Sequence, residues 1–285
     1  MKWSPLLFLL VTSFATTAQL PYQVEHALLK TTSIKQDDPI YKLKPAIDIP
    51  LTAITAGATI YGFSVIYGKE DTPLESIKGL RKEDLNRFDR WAAGLHSDKA
   101  ASISDLLFYG AMPFPLLLLG DKAIRHDAPK IAFLYLQAMS LTGILYTGVP
   151  AVIDRYRPLT YSDEVPLEER ISGNNRNSFF AGHVALVGTS TFFAAKVFSD
   201  YHPDSKLKYV FWGVAAAATG TTAYLRHRAG KHFPSDILVG TAVGALSGIL
   251  VPHFHKVKLI KNENISVLPY SGRTHGLAMV CKLGR

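Results

Sequence analysis

The residues of this sequence that could do chemistry fall in three short clusters. Asp154-Arg155-Tyr156-Arg157-Pro158 is the first, Ser178-Phe179-Phe180-Ala181-Gly182-His183 the second, and the run from Arg226 through Lys231 and His232 to Asp236 the third. Transfer of a phosphoryl group needs cations on the non-bridging oxygens, a nucleophile in line with the leaving oxygen, and an acid to protonate that oxygen. The clusters hold each of these. His232 could attack phosphorus through one ring nitrogen, while Asp236, in the first turn of a following helix, accepts a hydrogen bond from the other and supports the developing charge. His183 could be the acid, and Arg157 and Arg226 the phosphate clamp. Gly182 could let an anion approach the N–H groups that open a helix. Singly, each residue has a structural explanation, such as a headgroup anchor for Arg157 or a dipole-favoured first-turn residue for Asp236. Their order and joint spacing favour the chemistry.

The elements that must position these clusters are apolar. Six segments, near 47–67, 103–119, 131–153, 179–198, 209–225 and 237–251, carry few charges and many small residues. Each is close to the roughly 20 residues that cross a hydrocarbon core, and Gly, Ala, Ser and Thr let helices approach closely where lipid supplies no hydrophobic push. If consecutive helices alternate direction, all three clusters meet on one side. The expected fold is therefore all-α, a six-helix transmembrane bundle, followed by a short C-terminal β-hairpin around Ser271-Gly272-Arg273-Thr274. Buried helices of a soluble all-α domain are the alternative reading of the same segments. The charged stretch 69–99 reads as an interfacial helix with Leu85, Phe88 and Trp91 on one face, or equally as a plain solvated loop helix.

Residues 1–18 have a charged start, a short apolar run and small residues before Gln19, which predicts a signal peptide. The expected plan continues with a polar segment over 19–46, a helical domain over 47–253 and a tail over 254–285. The +8 formal charge is spread along the chain and forms no basic arm, which argues against nucleic acid as a partner. A single cysteine, Cys281, excludes an internal disulfide and a thiolate metal site. His253 and His255 lack acidic neighbours in the local sequence, so no metal and no cofactor are expected.

The three clusters resemble the signature of the type-2 phosphatidic acid phosphatase superfamily, which includes bacterial acid phosphatases and vanadium haloperoxidases. That signature is Lys, six residues, Arg-Pro; then Pro-Ser-Gly-His; then Ser-Arg, five residues, His, three residues, Asp. Arg157-Pro158, Gly182-His183, Arg226, His232 and Asp236 stand at the matching positions. Pro150 stands where the family has its lysine, Phe180 and Ala181 replace Pro-Ser, and Leu225 replaces Ser. Arg155 or Lys231 could supply the missing cation. The resemblance implies a metal-independent membrane phosphatase in a bacterial cell envelope. It would act on phosphate monoesters or pyrophosphates of lipids through a phosphohistidine. An exported phosphatase of this kind has its site on the periplasmic side, whereas export of the amino terminus followed by six crossings would put the clusters in the cytoplasm, so one of these two expectations gives way; the periplasmic side is favoured. A catalytically weak phospholipid-binding relative and a vanadate-dependent haloperoxidase are the alternatives.

Overall fold

The computed structural model describes residues 39–257 and the backbone of two strands, 265–271 and 275–281. The expected signal peptide and most of the polar segment after it lie outside the described residues. Within 39–257 the long helices are α1 (Pro45–Tyr67), α2 (Asp98–Ala111), α3 (Ala128–Val152), α4 (Gly182–Tyr201), α5 (Leu207–Arg228) and α6 (Pro234–His255). Proline in the first turn opens α1, α3 and α6, where its missing N–H removes no helical bond and its fixed φ suits the helix. At α2 the Ser97 side chain accepts from the Ala100 N–H at 3.3 Å instead.

The segment expected as one span near 103–119 is broken. Pro113 and Pro115 cannot continue the α-helical ladder, so α2 ends at Ala111 and a tighter 3-10 run, Phe114–Gly120, carries the chain on. The carbonyls freed at the break are satisfied from neighbouring helices. Ser190 donates to the Ala111 carbonyl at 2.6 Å and Tyr135 to that of Met112 at 2.8 Å.

Helix α4 is the centre of the bundle, touching α2, α3, α5 and α6, while α1 packs on α3. Its Val184, Val187, Phe193, Ala194 and Val197 are wholly buried, as are Thr189 and Ser190. Small residues set the spacing between α4 and α6. A side chain at Gly240, Gly244 or Gly248 would collide with the carbonyls of Ala181, Ala185 or Thr189 one turn apart along α4. Hydroxyls join the other pairs: Thr55 to Ser140 at 2.8 Å between α1 and α3, and Thr142 to Thr189 at 2.7 Å between α3 and α4. Gly244→Val should therefore force α4 and α6 apart. Thermal unfolding in detergent should show a loss of at least about 1–3 kcal/mol, the usual cost of overpacking.

Four helical stretches are long and apolar enough to cross a membrane: Pro45–Tyr67, Asp98–Gly120, Ala128–Val152 and Pro234–His255. Their outer faces present Ile54, Ile60, Leu106, Leu145, Leu238 and Leu246, as a membrane-associated protein requires. Helices α4 and α5 have the length but not the composition. The reason for α4 is its central place, because a helix surrounded by protein can carry Thr, Ser and Gly where a lipid-facing one carries Leu and Ile.

The stretch expected as one interfacial helix is instead a series of turns with a short α-helix at Leu74–Lys78 and 3-10 pieces at Lys82–Asp84 and Arg90–Ala92. Phe88 and Trp91 are exposed as the pattern implied, but Asp89 between them is fully buried. At the end of the unit, His255 pairs with Asp48 at 3.2 Å, so its partner comes from α1 and not from the local sequence. Outside this helical unit, β1 (Ile265–Ser271) pairs antiparallel with β2 (His275–Cys281), from Ile265 opposite Cys281 to Ser271 opposite His275.

Candidate active site

The C-terminal ends of α3 and α5 and the N-terminal ends of α4 and α6 lie at one end of the bundle, and backbone bonds lace their loops together. The Arg155 N–H donates to the Arg176 carbonyl at 2.9 Å, Arg157 to Asn175 at 2.9 Å, Leu159 to Gly230 at 3.0 Å and Ala181 to Asp236 at 3.1 Å. The three sequence clusters are thereby brought into contact.

Arg157 and Arg226 are almost completely buried, at 6% and 5% exposed, and the Nε of each has no acceptor among the described residues. Among the described residues the Arg157 side chain otherwise reaches only Asn174, at 3.5 Å. Burial pulls its pKa below the ordinary arginine range, against the attraction of Tyr146, Tyr67, Asp236 and Asp105. Two sheltered guanidinium groups with free donors are costly unless an anion completes them.

His232 is also buried, and its Nδ1 lies 2.6 Å from the backbone carbonyl of Ser178. A carbonyl only accepts, so Nδ1 carries the proton and Nε2 presents a lone pair. Burial, with Arg226 and Arg157 nearby, holds this ring well below the ordinary histidine pKa and therefore neutral. The hydrogen bond expected from the His232 ring N–H to Asp236 is not made. Asp236 turns back on its own helix start, accepting from the Phe233 N–H at 2.8 Å and the Ser178 hydroxyl at 2.7 Å, and pairing with Arg155. Ser178 thus touches both, orienting His232 through its carbonyl and Asp236 through its hydroxyl.

Arg155 is fully engaged. Besides Asp236 it pairs with Asp89 at 2.7 Å and lies 4.9 Å from the centre of the Phe233 ring. Asp89 in turn accepts the Ser235 N–H at 3.0 Å and its hydroxyl at 2.6 Å, fixing the first turn of α6. Burial alone would raise the Asp89 pKa, but the bonds from Ser235, Asn86 and Arg155 hold it below the usual carboxylate range. Arg155 is therefore unavailable to replace the cation absent at Pro150. Lys69 donates to the Pro150 carbonyl at 2.5 Å and pairs with Asp154 at 2.7 Å, so it too is occupied. Lys231 has one long contact, to Glu169 at 3.5 Å; burial and the nearby charge of Arg157 push its pKa down.

Gly182 has a packing role that the sequence did not show. A side chain there would run into the ring of Tyr146 from α3. Next to it, His183 places Nε2 3.1 Å from a carboxylate oxygen of Asp105, and its ring centre 4.4 Å from that of Phe108. The same Asp105 oxygen lies 3.1 Å from Arg226. Motif reading passed over Asp105, although one signal was there: it is the single charge inside an apolar stretch.

A model of the PAP2 superfamily matches residues 131–259. Over these residues the chain is similar to the PAP2 superfamily. The matched PAP2 region runs from α3 past the end of α6 and holds all three clusters, whereas Asp89 and Asp105 precede it. Among solved structures, Aquifex aeolicus LpxE is similar at 21% identity with a TM-score of 0.40, over 59% of this chain and 96% of that one. No curated protein matches the chain.

Proposed function

We propose that this chain is a membrane phosphatase that hydrolyses phosphate monoesters or pyrophosphates of lipids through a phosphohistidine at His232. The observation that carries this reading is the meeting of two buried arginines, each with a free Nε, and a neutral, buried histidine whose Nδ1 is held by a carbonyl. Arg157 and Arg226 hold the non-bridging oxygens, together with first-turn N–H groups of α4 that have no intrahelical acceptor. Nε2 of His232 forms a bond to phosphorus as the bond to the leaving oxygen breaks, and His183 protonates that oxygen. Water then attacks the phosphohistidine, giving up its proton to His183, and releases inorganic phosphate. Asp236 acts at one remove, holding Ser178 and the start of α6 so that His232 keeps its aim. Lys231 is the remaining candidate for the cation that the family carries at the position of Pro150.

The lipid side of the proposal is supported by the four helical stretches long and apolar enough to cross a membrane; in this reading they hold the site at a membrane surface. In this reading α4 and α5 also traverse the bilayer inside the protein shell, and the site faces the extracytoplasmic side of a bacterial envelope, which with six crossings requires α1 to start on the cytoplasmic side. The mechanism uses no metal, and among the described residues no three potential ligands cluster. Phosphate release from lipid phosphate in mixed micelles tests this directly. Activity should persist in excess chelator and fall with vanadate, which takes the geometry of the phosphoryl group in flight. Loss of activity in chelator with recovery on adding magnesium would rule out the histidine mechanism.

A further inference from the structure

One carboxylate oxygen of Asp105 stands 3.1 Å from Nε2 of His183 and 3.1 Å from Nη1 of Arg226. Those are two of the groups that a phosphate must engage here, one as acid and the other as clamp. The Asp105 side chain comes from α2, outside the three clusters, and is about half open to solvent at 46%. Ser104 beside it supports the arrangement, its hydroxyl lying 3.3 Å from the same Arg226 nitrogen. An anion belonging to the protein thus sits where the ligand's anion must go.

We propose that Asp105 is a built-in competitor for the phosphate site, displaced from Arg226 and His183 when substrate enters and returning to them to expel inorganic phosphate. The proposal rests on the reading of Arg226 and His183 as phosphate ligands. Its logic is electrostatic. A substrate brings binding energy from its apolar part as well as from its phosphate, and so can displace the carboxylate. Inorganic phosphate has only its charge, and a neighbouring carboxylate opposes that charge while offering the cation another partner. The side chain thereby discriminates between a phosphate still attached to lipid and one that has been released. A residue of merely structural importance would weaken phosphate binding when altered; a competitor does the opposite.

The test uses the full chain in detergent micelles and titrates it with inorganic phosphate by calorimetry, beside phosphate inhibition of lipid-phosphate turnover. Asp105→Asn, nearly the same shape without the charge, should bind phosphate about tenfold more tightly, in line with the loss of one charge-assisted contact of about 1.4 kcal/mol. Product inhibition should strengthen by the same factor. Asp105→Ser should tighten binding as well, and serves if the asparagine variant folds poorly. Unchanged or weaker phosphate binding in the folded variants, with wild-type binding intact, would overturn the role of Asp105 alone. A wild-type protein that binds no phosphate and releases none from lipid would remove the phosphatase reading and this inference with it.

Discussion

Replacing His232 by alanine should reduce phosphate release to the level of buffer for every substrate, whatever its leaving group. The expectation follows from position. His232 is buried beside Arg157 and Arg226, and its Nδ1 is committed to the Ser178 carbonyl, so only Nε2 is free to attack. The other groups nearby cannot take its place: in this mechanism His183 carries the proton meant for the leaving oxygen and so has no lone pair to offer, and Asp236 is held by Phe233, Ser178 and Arg155. The variant should remain folded and keep its affinity for inorganic phosphate, because both clamp arginines are untouched. Steady-state rates with a lipid phosphate and with an aryl phosphate check the first part, and calorimetry with phosphate the second. Residual turnover that varied with the leaving group would mean that another residue, or water directly, attacks phosphorus.

His183→Ala should fail differently. A positioned acid matters in proportion to how badly the leaving oxygen needs a proton, and typically contributes about 10²–10⁴-fold. Release of a lipid alcohol should slow by about that factor, while release of an activated aryl alcohol should change by less than about tenfold. The comparison belongs in the first turnover, where the burst of leaving group reports phosphoenzyme formation before its hydrolysis limits the rate. Steady-state rates would blur the contrast, since the same imidazole also serves the attack of water in the second step. Equal losses with both leaving groups in the burst would show that His183 positions substrate and transfers no proton.

How much of this was legible beforehand depends on the range of each interaction. The helices were legible because an apolar run is a local property, and the meeting of the clusters followed from alternating helix direction alone. The stretch 103–119 was read as one helix because its apolar composition continues past Pro113 and Pro115, where the α-helical ladder cannot; the span itself, Asp98–Gly120, keeps the length to cross. The stretch around Asp89 was read as an amphipathic helix from the spacing of Leu85, Phe88 and Trp91. That pattern gives no sign that Asp89 must turn inward to meet Arg155 and Ser235, the latter 146 positions away in sequence. The partner of His232 was misassigned for a similar reason. Asp236 has the right spacing to reach the ring, but the third residue of a helix can also bond back to the N–H preceding it, and here that bond wins. The orienting group is a backbone carbonyl, which no side-chain motif records. Asp105 escaped because the α2 stretch carries no motif; only its isolation as a charge among apolar residues marked it.

The central claim is the covalent bond between phosphorus and His232, and trapping that bond tests it most directly. The full chain would be mixed with a lipid phosphate radiolabelled in its phosphate, quenched within the first turnover in alkali for one portion and in acid for another, digested and mapped by mass spectrometry. Phosphohistidine survives alkali and is lost in acid. The account predicts label on the peptide containing His232, with those stabilities, and none in His232→Ala. Label on a serine or aspartate, or single-turnover hydrolysis with no protein-bound phosphate at any time, would contradict it.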